Sequence, residues 1–436
     1  MRRTRPRFVP SLALILLIVA STYGTAVAAT TLGTPGQKIT WPEFHGTGDS
    51  RGYNKQEAAV GPDNVFSLGL SWIGNGASQQ EDLVFNSSPV LAKGLVFFGT
   101  SAGQVLAFRA TGCGDSECFP VWRSQLPQGI FSTPAYFNGM LYVGTTSPEG
   151  ALYAFAAAGC GHPTCSPVWS SPLEVTGSSP KVAHGVLYVG GPGGVYAYDP
   201  AGCGQSTCSP LWLGKTGSAV DAAPAVAGGI VYVGSEDGKL YAFNAAGCGQ
   251  PTCQAAWKGK TAAAIYDSSP AVAGGFVYVG SFWDGRLNVF HAEGCGKTTC
   301  QPVWKGDADQ YLDSAPAVAY GKVYLGTGHG ELRVFDANGC GAPLCQPQWI
   351  GMAAGPVAAM NSAPMVANGV VYVGENNQRV YAFPAKGCGQ TLCDKLWEFI
   401  TQDPIVNSSP VMLNGILYVT GTNFGAVPEL YVFELP

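Results

Sequence analysis

Residues 268–304 read SSPAVAGGFVYVGSFWDGRLNVFHAEGCGKTTCQPVW, preceded by Asp267, and nearly the same sentence is written eight times along the chain. Its landmarks are an S-S-P opening, a V-Y-V-G run, an apolar segment ending in Phe, a C-G-x-x-x-C pair, and a Trp four residues beyond the second Cys. The opening proline recurs at Pro89, Pro134, Pro180, Pro224, Pro270, Pro316, Pro364 and Pro410, at intervals of 45, 46, 44, 46, 46, 48 and 46 residues. Self-similarity at such a period is the signature of an array of supersecondary units, each too small to bury its own apolar face.

Four strands can be read within one copy from apolar runs bounded by turn residues. In the fifth copy strand a covers 268–273, strand b 276–280, strand c 287–290 and strand d 302–305. Gly274-Gly275 turns a into b, Trp283-Asp284-Gly285 turns b into c, and the cysteine loop turns c into d. The runs are apolar at successive positions, so both faces of each sheet need cover, and sheets stacked around an axis supply it. Eight tryptophans keep the period: Trp72, Trp122, Trp169, Trp212, Trp257, Trp304, Trp349 and Trp397. Each is large enough to fill the gap between adjacent sheets, with its N–H expected to find a partner. The proline in strand a fits an innermost strand with one unpaired edge.

Strands a, b and c occur eight times, the last strand c covering 430–433, and no strand d follows it. An orphan strand around Leu70-Ser71-Trp72-Ile73-Gly74 supplies the missing one and removes the open sheet edge. The expectation is an all-β fold: a single eight-bladed β-propeller of four-stranded blades over 69–436, closed by an N-terminal strand that completes the last blade. Residues 29–68 form a leader without the repeat. Its aromatic cluster, Trp41-Pro42-Glu43-Phe44-His45-Gly46, is expected to pack against the body of the protein.

The 436 residues are 46% apolar and only 12% charged, with a formal charge of −5, which gives no reason to expect nucleic acid or an anionic membrane as partner. The N-terminus begins MRRTRPRF, continues through an apolar run over 12–20, and reaches Ala26-Val27-Ala28, a small-x-small cleavage pattern. Residues 1–28 therefore read as a secretory signal peptide, with an uncleaved anchor as the alternative. No Cys precedes Cys113, so no lipid attachment is expected near the cleavage point. The fourteen cysteines fall into pairs of one spacing: Cys113/Cys118, Cys160/Cys165, Cys203/Cys208, Cys248/Cys253, Cys295/Cys300, Cys340/Cys345 and Cys388/Cys393. An even count, a fixed spacing and an export signal imply seven disulfides in a secreted, periplasmic or envelope protein. One C-x4-C per repeat with no nearby His offers a metal too few ligands.

The S-S-P-x-V-x-x-G-x-V-Y-V-G…L-Y-A-F…G…W sentence resembles the PQQ-binding-like β-propeller repeat, shared by quinoprotein alcohol dehydrogenases and an eight-bladed outer-membrane assembly lipoprotein. The leader WPEFHGTGDSRGYN looks like the segment that often precedes such repeats. The resemblance covers residues from about 41 to the end of the chain. It implies the propeller fold and, for the dehydrogenases, pyrroloquinoline quinone with calcium beside adjacent cysteines and a catalytic Asp at the channel mouth. Two departures stand out. C-G-x-x-x-C replaces the family's short T-G-K type turn in seven copies, and no two cysteines are adjacent.

Antiparallel strands put the d–a connections and b–c turns on one face. The residues just before each S-x-P should stand near the axis there: Asn86, Phe131, Gly177, Asp221, Asp267, Asp313, Asn361 and Asn407. Six of the eight are Asp or Asn, so they could ring a cation or a hydroxylated ligand. The local alternative is that each caps its own turn by accepting backbone N–H bonds. Ligand asymmetry would show in the sector that adds Glu236, Tyr266, Trp283, Asp307, Asp309, Tyr311 and His329, which suits a carbohydrate or a cationic peptide. Trp283, off the tryptophan period, is its best single candidate. No G-x-S-x-G, H-E-x-x-H or phosphate-cradling loop is present, and no catalytic residue or metal site is assigned. The sequence points to an exported, non-enzymatic binding or scaffold protein. It is read as a monomer without cofactor or membrane span after signal removal, presenting one face to a protein or glycan. The alternatives are a quinoprotein-like oxidoreductase using pyrroloquinoline quinone with calcium, or a polysaccharide-active enzyme.

Overall fold

The S-S-P opening sets where each blade begins. In the fifth copy the antiparallel strands are Ala271–Ala273, Phe276–Ser281, Arg286–His291 and Trp304–Asp307. Strand a is shorter than the sequence suggests because the residues before its alanine bond through their side chains. The Ser268 hydroxyl accepts the Gly280 N–H of strand b at 2.8 Å and donates to the Ser314 carbonyl of the next blade at 3.0 Å. Ser269 accepts the Ala223 N–H of the preceding blade at 2.8 Å. The same pattern closes the ring, where Ser88 accepts the Ser409 N–H at 2.8 Å. The serines thus tie strands within a blade and blades to one another.

This computed structural model describes residues 40–46, 48–76, 83–84, 87–146, 148–175, 177–308, 311–353, 359–401, 405, 408–421, 423–424 and 429–436. The signal-peptide reading of residues 1–28 lies outside them, as do Asn86, Asp309 and Asn407. The eight repeats form eight antiparallel blades. The last takes Val411–Leu413, Ile416–Thr420 and Glu429–Glu434 from the end of the chain and Gly69–Asn75 from its beginning. Ile73 stands opposite Tyr431 and Trp72 opposite Val432, so first and last repeats are joined by a backbone ladder.

The leader runs around the inner wall of the ring. Leu91 exchanges two backbone bonds with Trp41 (2.9 and 3.0 Å), and the Tyr136 N–H donates to the Pro42 carbonyl. The Val182 N–H donates to the Glu43 carboxylate at 2.9 Å. The N–H groups of Val226, Val272, Val318 and Val366 then donate to the carbonyls of Gly48, Asp49, Arg51 and Gly52. Asn54 Nδ2 reaches the Met412 carbonyl in the eighth blade at 2.9 Å. Every contacted residue lies two positions after the repeat's proline. The unpaired inner edge expected of strand a is therefore covered blade by blade, which satisfies one edge N–H in each of the first seven blades and one edge carbonyl in the eighth. Lys181 and Glu43 fix the register. Both are buried, 3.5 Å apart, and Lys181 also donates to the Phe44 carbonyl at 2.6 Å. Burial pushes the Glu43 carboxyl up and the Lys181 ammonium down, against their mutual attraction.

All fourteen cysteines are paired as the spacing implies. The sequence assigns their loops to turning c into d, which they do, and half of the cysteines prove to be core residues as well. Cys118, Cys165, Cys208, Cys253, Cys300, Cys345 and Cys393, the second of each pair, are all buried, 2–6% exposed. The physical reason is that each loop folds back on the preceding blade. It lays its second cysteine against that blade's strand d in parallel register, as in Gly214 opposite Cys253, Gly259 opposite Cys300, Gly306 opposite Cys345, Gly351 opposite Cys393 and Gly74 opposite Cys118. In the two remaining copies the Cys165 N–H donates to the Arg123 carbonyl and the Cys208 N–H to the Ser170 carbonyl, both at 2.8 Å.

The glycine before the first cysteine lies flat on the preceding blade's tryptophan. At Gly112, Gly159, Gly202, Gly247, Gly294, Gly339 and Gly387 the backbone has φ between +70° and +84°, and a Cβ would stand 2.7–3.0 Å from indole atoms. Left-handed backbone and missing volume are both needed, so only glycine serves. The eighth blade has no such loop. The turn Val65–Ser67 takes its place, and Trp397 Nε1 donates to the Leu68 carbonyl at 3.1 Å.

The expectation that each tryptophan N–H finds a partner fails at Trp72, Trp169, Trp304 and Trp349, which have none among the described residues. The cause is competition for one carbonyl at the start of the next blade's loop. Tyrosines of the V-Y-V-G run take it: in the blades of Trp169, Trp304, Trp349 and Trp72 respectively, Tyr142 donates to Pro200, Tyr278 to Ala337, Tyr324 to Ala385 and Tyr418 to Ala110, at 2.7–2.9 Å. Blade 1 carries Phe97 at that position, and there Trp122 donates to the Ala157 carbonyl instead, at 3.1 Å.

A pair of variants separates these effects. In Tyr278→Phe the Trp304 N–H can inherit the Ala337 carbonyl, so equilibrium denaturation should show a loss under about 1 kcal/mol. Gly339→Ala forces a Cβ into the Trp304 ring at φ +82° and should lose at least about 2 kcal/mol. Equal losses would contradict this account of the clamp.

Candidate functional site

The axial residues of the d–a/b–c face meet in one cavity of about 290 Å³. Phe44 of the leader lies among its lining residues, together with Phe131, Gly177, Asp221, Asp267, Asp313 and Asn361. Thr133, Ser179, Ser269 and Ser409, each just before a repeat proline, complete the polar part. Described members of the axial ring that the sequence singles out thus converge on one space.

Asp221, Asp267 and Asp313 stand on three adjacent blades. Asp267 Oδ1 lies 3.2 Å from where a Cβ on Gly177 would be, so the side chain leans into room that the glycine leaves. Asp267 is exposed to the cavity, which opens to solvent, while the lining blades enclose the carboxyl from the sides. That enclosure, followed by repulsion from Asp221, raises its carboxyl to about 6. Asp313, half-buried, is raised to about 7 by the same enclosure and then by Asp267. Among the described residues neither carboxylate accepts a hydrogen bond from a turn N–H. The local capping alternative therefore does not describe these two; turn capping of that kind occurs elsewhere in the chain, at Asp199 and Asp336, which lie outside the axial ring and accept the N–H two residues on at 2.8 and 2.9 Å.

The aromatic sector is contiguous. Trp283, 61% exposed, meets Phe282 edge-on at 4.8 Å between ring centroids and Tyr311 at 5.8 Å. Phe282 also meets Tyr266 edge-on at 5.4 Å. Tyr311 is held at φ +54°, a backbone state that a bulky residue adopts only when its surroundings fix it. Two acidic members of the sector are engaged locally: Glu236 accepts from Ser218 at 2.9 Å, and Asp307 pairs with Arg286. Phe282 was not singled out by sequence, since a residue following V-Y-V-G-S reads as strand.

The leader contributes a second buried titratable group, His45. Burial holds it at about 3, against a raising bond to the Ser50 carbonyl. A carbonyl only accepts, so Nδ1 at 3.2 Å carries the proton of a neutral ring. Among the described residues, no three His, Cys, Asp or Glu side chains lie close enough to hold a metal ion.

The raised carboxyls predict a pH dependence with a definite sign. The folded state keeps protons that the unfolded chain releases near 3.8, so these groups lower stability as pH rises from about 4 to about 7 and leave it flat above. Asp313→Asn should raise unfolding free energy at pH 8 by on the order of 1 kcal/mol, allowing for water in the open cavity, and change little at pH 4. Denaturation curves at the two pH values check this.

The family model for outer membrane protein assembly factor BamB matches residues 148–294 and 254–387, spans that overlap and together cover more than half of the chain. A comparison with curated proteins gave no match. Among solved structures, BamB from Moraxella catarrhalis is similar with a TM-score of 0.57 at 15% identity, over 84% of this chain and 97% of that one. The quinohemoprotein alcohol dehydrogenase ADHIIG from Pseudomonas putida HK5 gives 0.62 at 14%, over 91% and 80%. A europium-containing methanol dehydrogenase gives 0.63 at 13%, over 91% and 98%. At such identities these likenesses show the fold alone. With the family model matched over most of the repeats and eight blades in the structure, the chain belongs to the PQQ-like β-propeller repeat family.

Proposed function

We propose that this protein is a binding or scaffold propeller that presents its d–a/b–c face to a protein or glycan partner outside the cytosol. The observation that carries the reading is the contiguous ring cluster of Trp283, Phe282, Tyr311 and Tyr266, in which Trp283 and Tyr311 are exposed and packed against the partly buried other two. Preordered aromatic side chains lose little entropy on binding and supply the anchors on which interfaces and sugar sites are built. The match to the BamB family model supports a scaffold role. The seven disulfides support an oxidising compartment. Among the described residues no helix is long and apolar enough to cross a membrane.

The oxidoreductase alternative is disfavoured by the chemistry of the cavity wall. Pyrroloquinoline quinone is a planar tricarboxylate, and the cavity offers it Asp221, Asp267 and Asp313 with no Lys or Arg among the described lining residues. The residues do not fit the group, and no step is derived through it.

Screening on glycan and peptide arrays, followed by titration of each hit against Trp283→Ala, tests the proposal. Removing the indole should weaken binding at least tenfold while leaving thermal stability unchanged, because the ring is mostly exposed. Reduction of a dye acceptor by the protein given quinone, calcium and simple alcohols or sugars would contradict it, as would a hit indifferent to Trp283→Ala.

A further inference from the structure

We infer that the axial cavity receives a single organic cation, the guanidinium tip of an arginine side chain presented by the partner. This deepens the proposed binding role and rests on it. Among the described residues Asp267 and Asp313 face the cavity without a hydrogen bond, and no described lining residue carries a positive charge. A second observation is independent of the carboxylates. Thr133 is only 4% exposed and lines the cavity, yet its hydroxyl makes no hydrogen bond among the described residues. The hydroxyl is not itself sealed off: on this otherwise buried side chain it is the part left open to the cavity, and an unbonded hydroxyl there takes its partner from whatever fills that space.

Size and shape favour a guanidinium over a bare ion. About 290 Å³ is far more than one coordinated cation needs, and the carboxylates are spaced blade by blade instead of converging as metal ligands. Phe44, which stacks on His45 at 4.5 Å, and Phe131 bring two aromatic rings to the wall, the kind of neighbour that suits a flat, weakly hydrated cation. The five N–H donors of a guanidinium match a rim of carboxylate, hydroxyl and amide acceptors: Asp267, Asp313, Thr133 and Asn361. A neutral sugar would leave the carboxylates repelling one another.

Calorimetric titration of the full chain at pH 8 with N-acetyl-arginine amide tests this, with N-acetyl-citrulline amide as the uncharged isostere and calcium chloride as the metal control. The arginine compound should bind, the citrulline compound at least tenfold more weakly, and Asp267→Asn/Asp313→Asn should lose at least tenfold for arginine. Thr133→Val should lose a smaller, several-fold amount. The double variant is expected to be more stable than the parent at pH 8, so lost binding cannot be put down to unfolding. Equal binding of arginine and citrulline compounds, binding of calcium without the arginine compound, indifference to the double variant, or no heat from any probe would each overturn the inference. Such a failure with Trp283-dependent array binding intact would sink this inference alone. Array binding indifferent to Trp283 with the titration positive would sink the wider role instead.

Discussion

The structure depends on one repeated contact, the glycine-led cysteine loop of each blade lying on the tryptophan of the blade before it. A four-stranded sheet of this size has apolar residues on both faces and cannot bury them alone. The tryptophan fills the wedge between sheets near the rim, and only a left-handed glycine brings the next blade's backbone close enough to seal it. The disulfide then fixes the loop in that shape. Because its second cysteine pairs along the neighbour's outer strand, a local crosslink becomes an inter-blade fastening. Blade 1 shows that the arrangement has a fixed supply of acceptors. Where Phe97 cannot use the loop carbonyl, Trp122 does.

The leader performs the same service at the axis. Tapered sheets meet there with their inner edges unpaired, and a single chain segment visits them in order from Leu91 to Met412. Rim and axis are thus fastened by different parts of the sequence, the rim by the repeats and the axis by the segment that precedes them. One consequence is that the leader helps define the candidate site. Phe44 lies in the cavity wall, directly joined to the Lys181 and Glu43 pair that sets the leader's position.

Much of this was legible in the chain. Repeat period, blade number and closure through Trp72 follow from counting strands, because a closed ring must balance them. The shared cavity position of Asp221, Asp267, Asp313 and Asn361 was legible for the same reason, since strand direction places them. Less legible was the path of the leader, whose contacts are mostly backbone carbonyls that no side-chain pattern marks. One signal was present: Lys181 sits where the other copies have Val, Ala or Met, and a lone Lys in an apolar register calls for a buried anion. The burial of Cys165, Cys208, Cys345, Cys393 and their counterparts was hidden because spacing alone specifies a turn and says nothing of what the turn touches. The unpaired indole N–H groups were missed because tyrosine and tryptophan compete for one carbonyl, a relation visible only in three dimensions.

The ring is fastened at both rim and axis by backbone contacts between separate parts of the chain. Residue-resolved hydrogen–deuterium exchange on the native protein tests it most directly. The amides of Val226, Val272, Val318 and Val366, and those of residues 72–74, should be protected as strongly as the strand b amides of their own blades. Exchange of either set at the rate of exposed amides, with strand b still protected, would mean that the leader or the closing strand does not hold the ring, and would contradict the account.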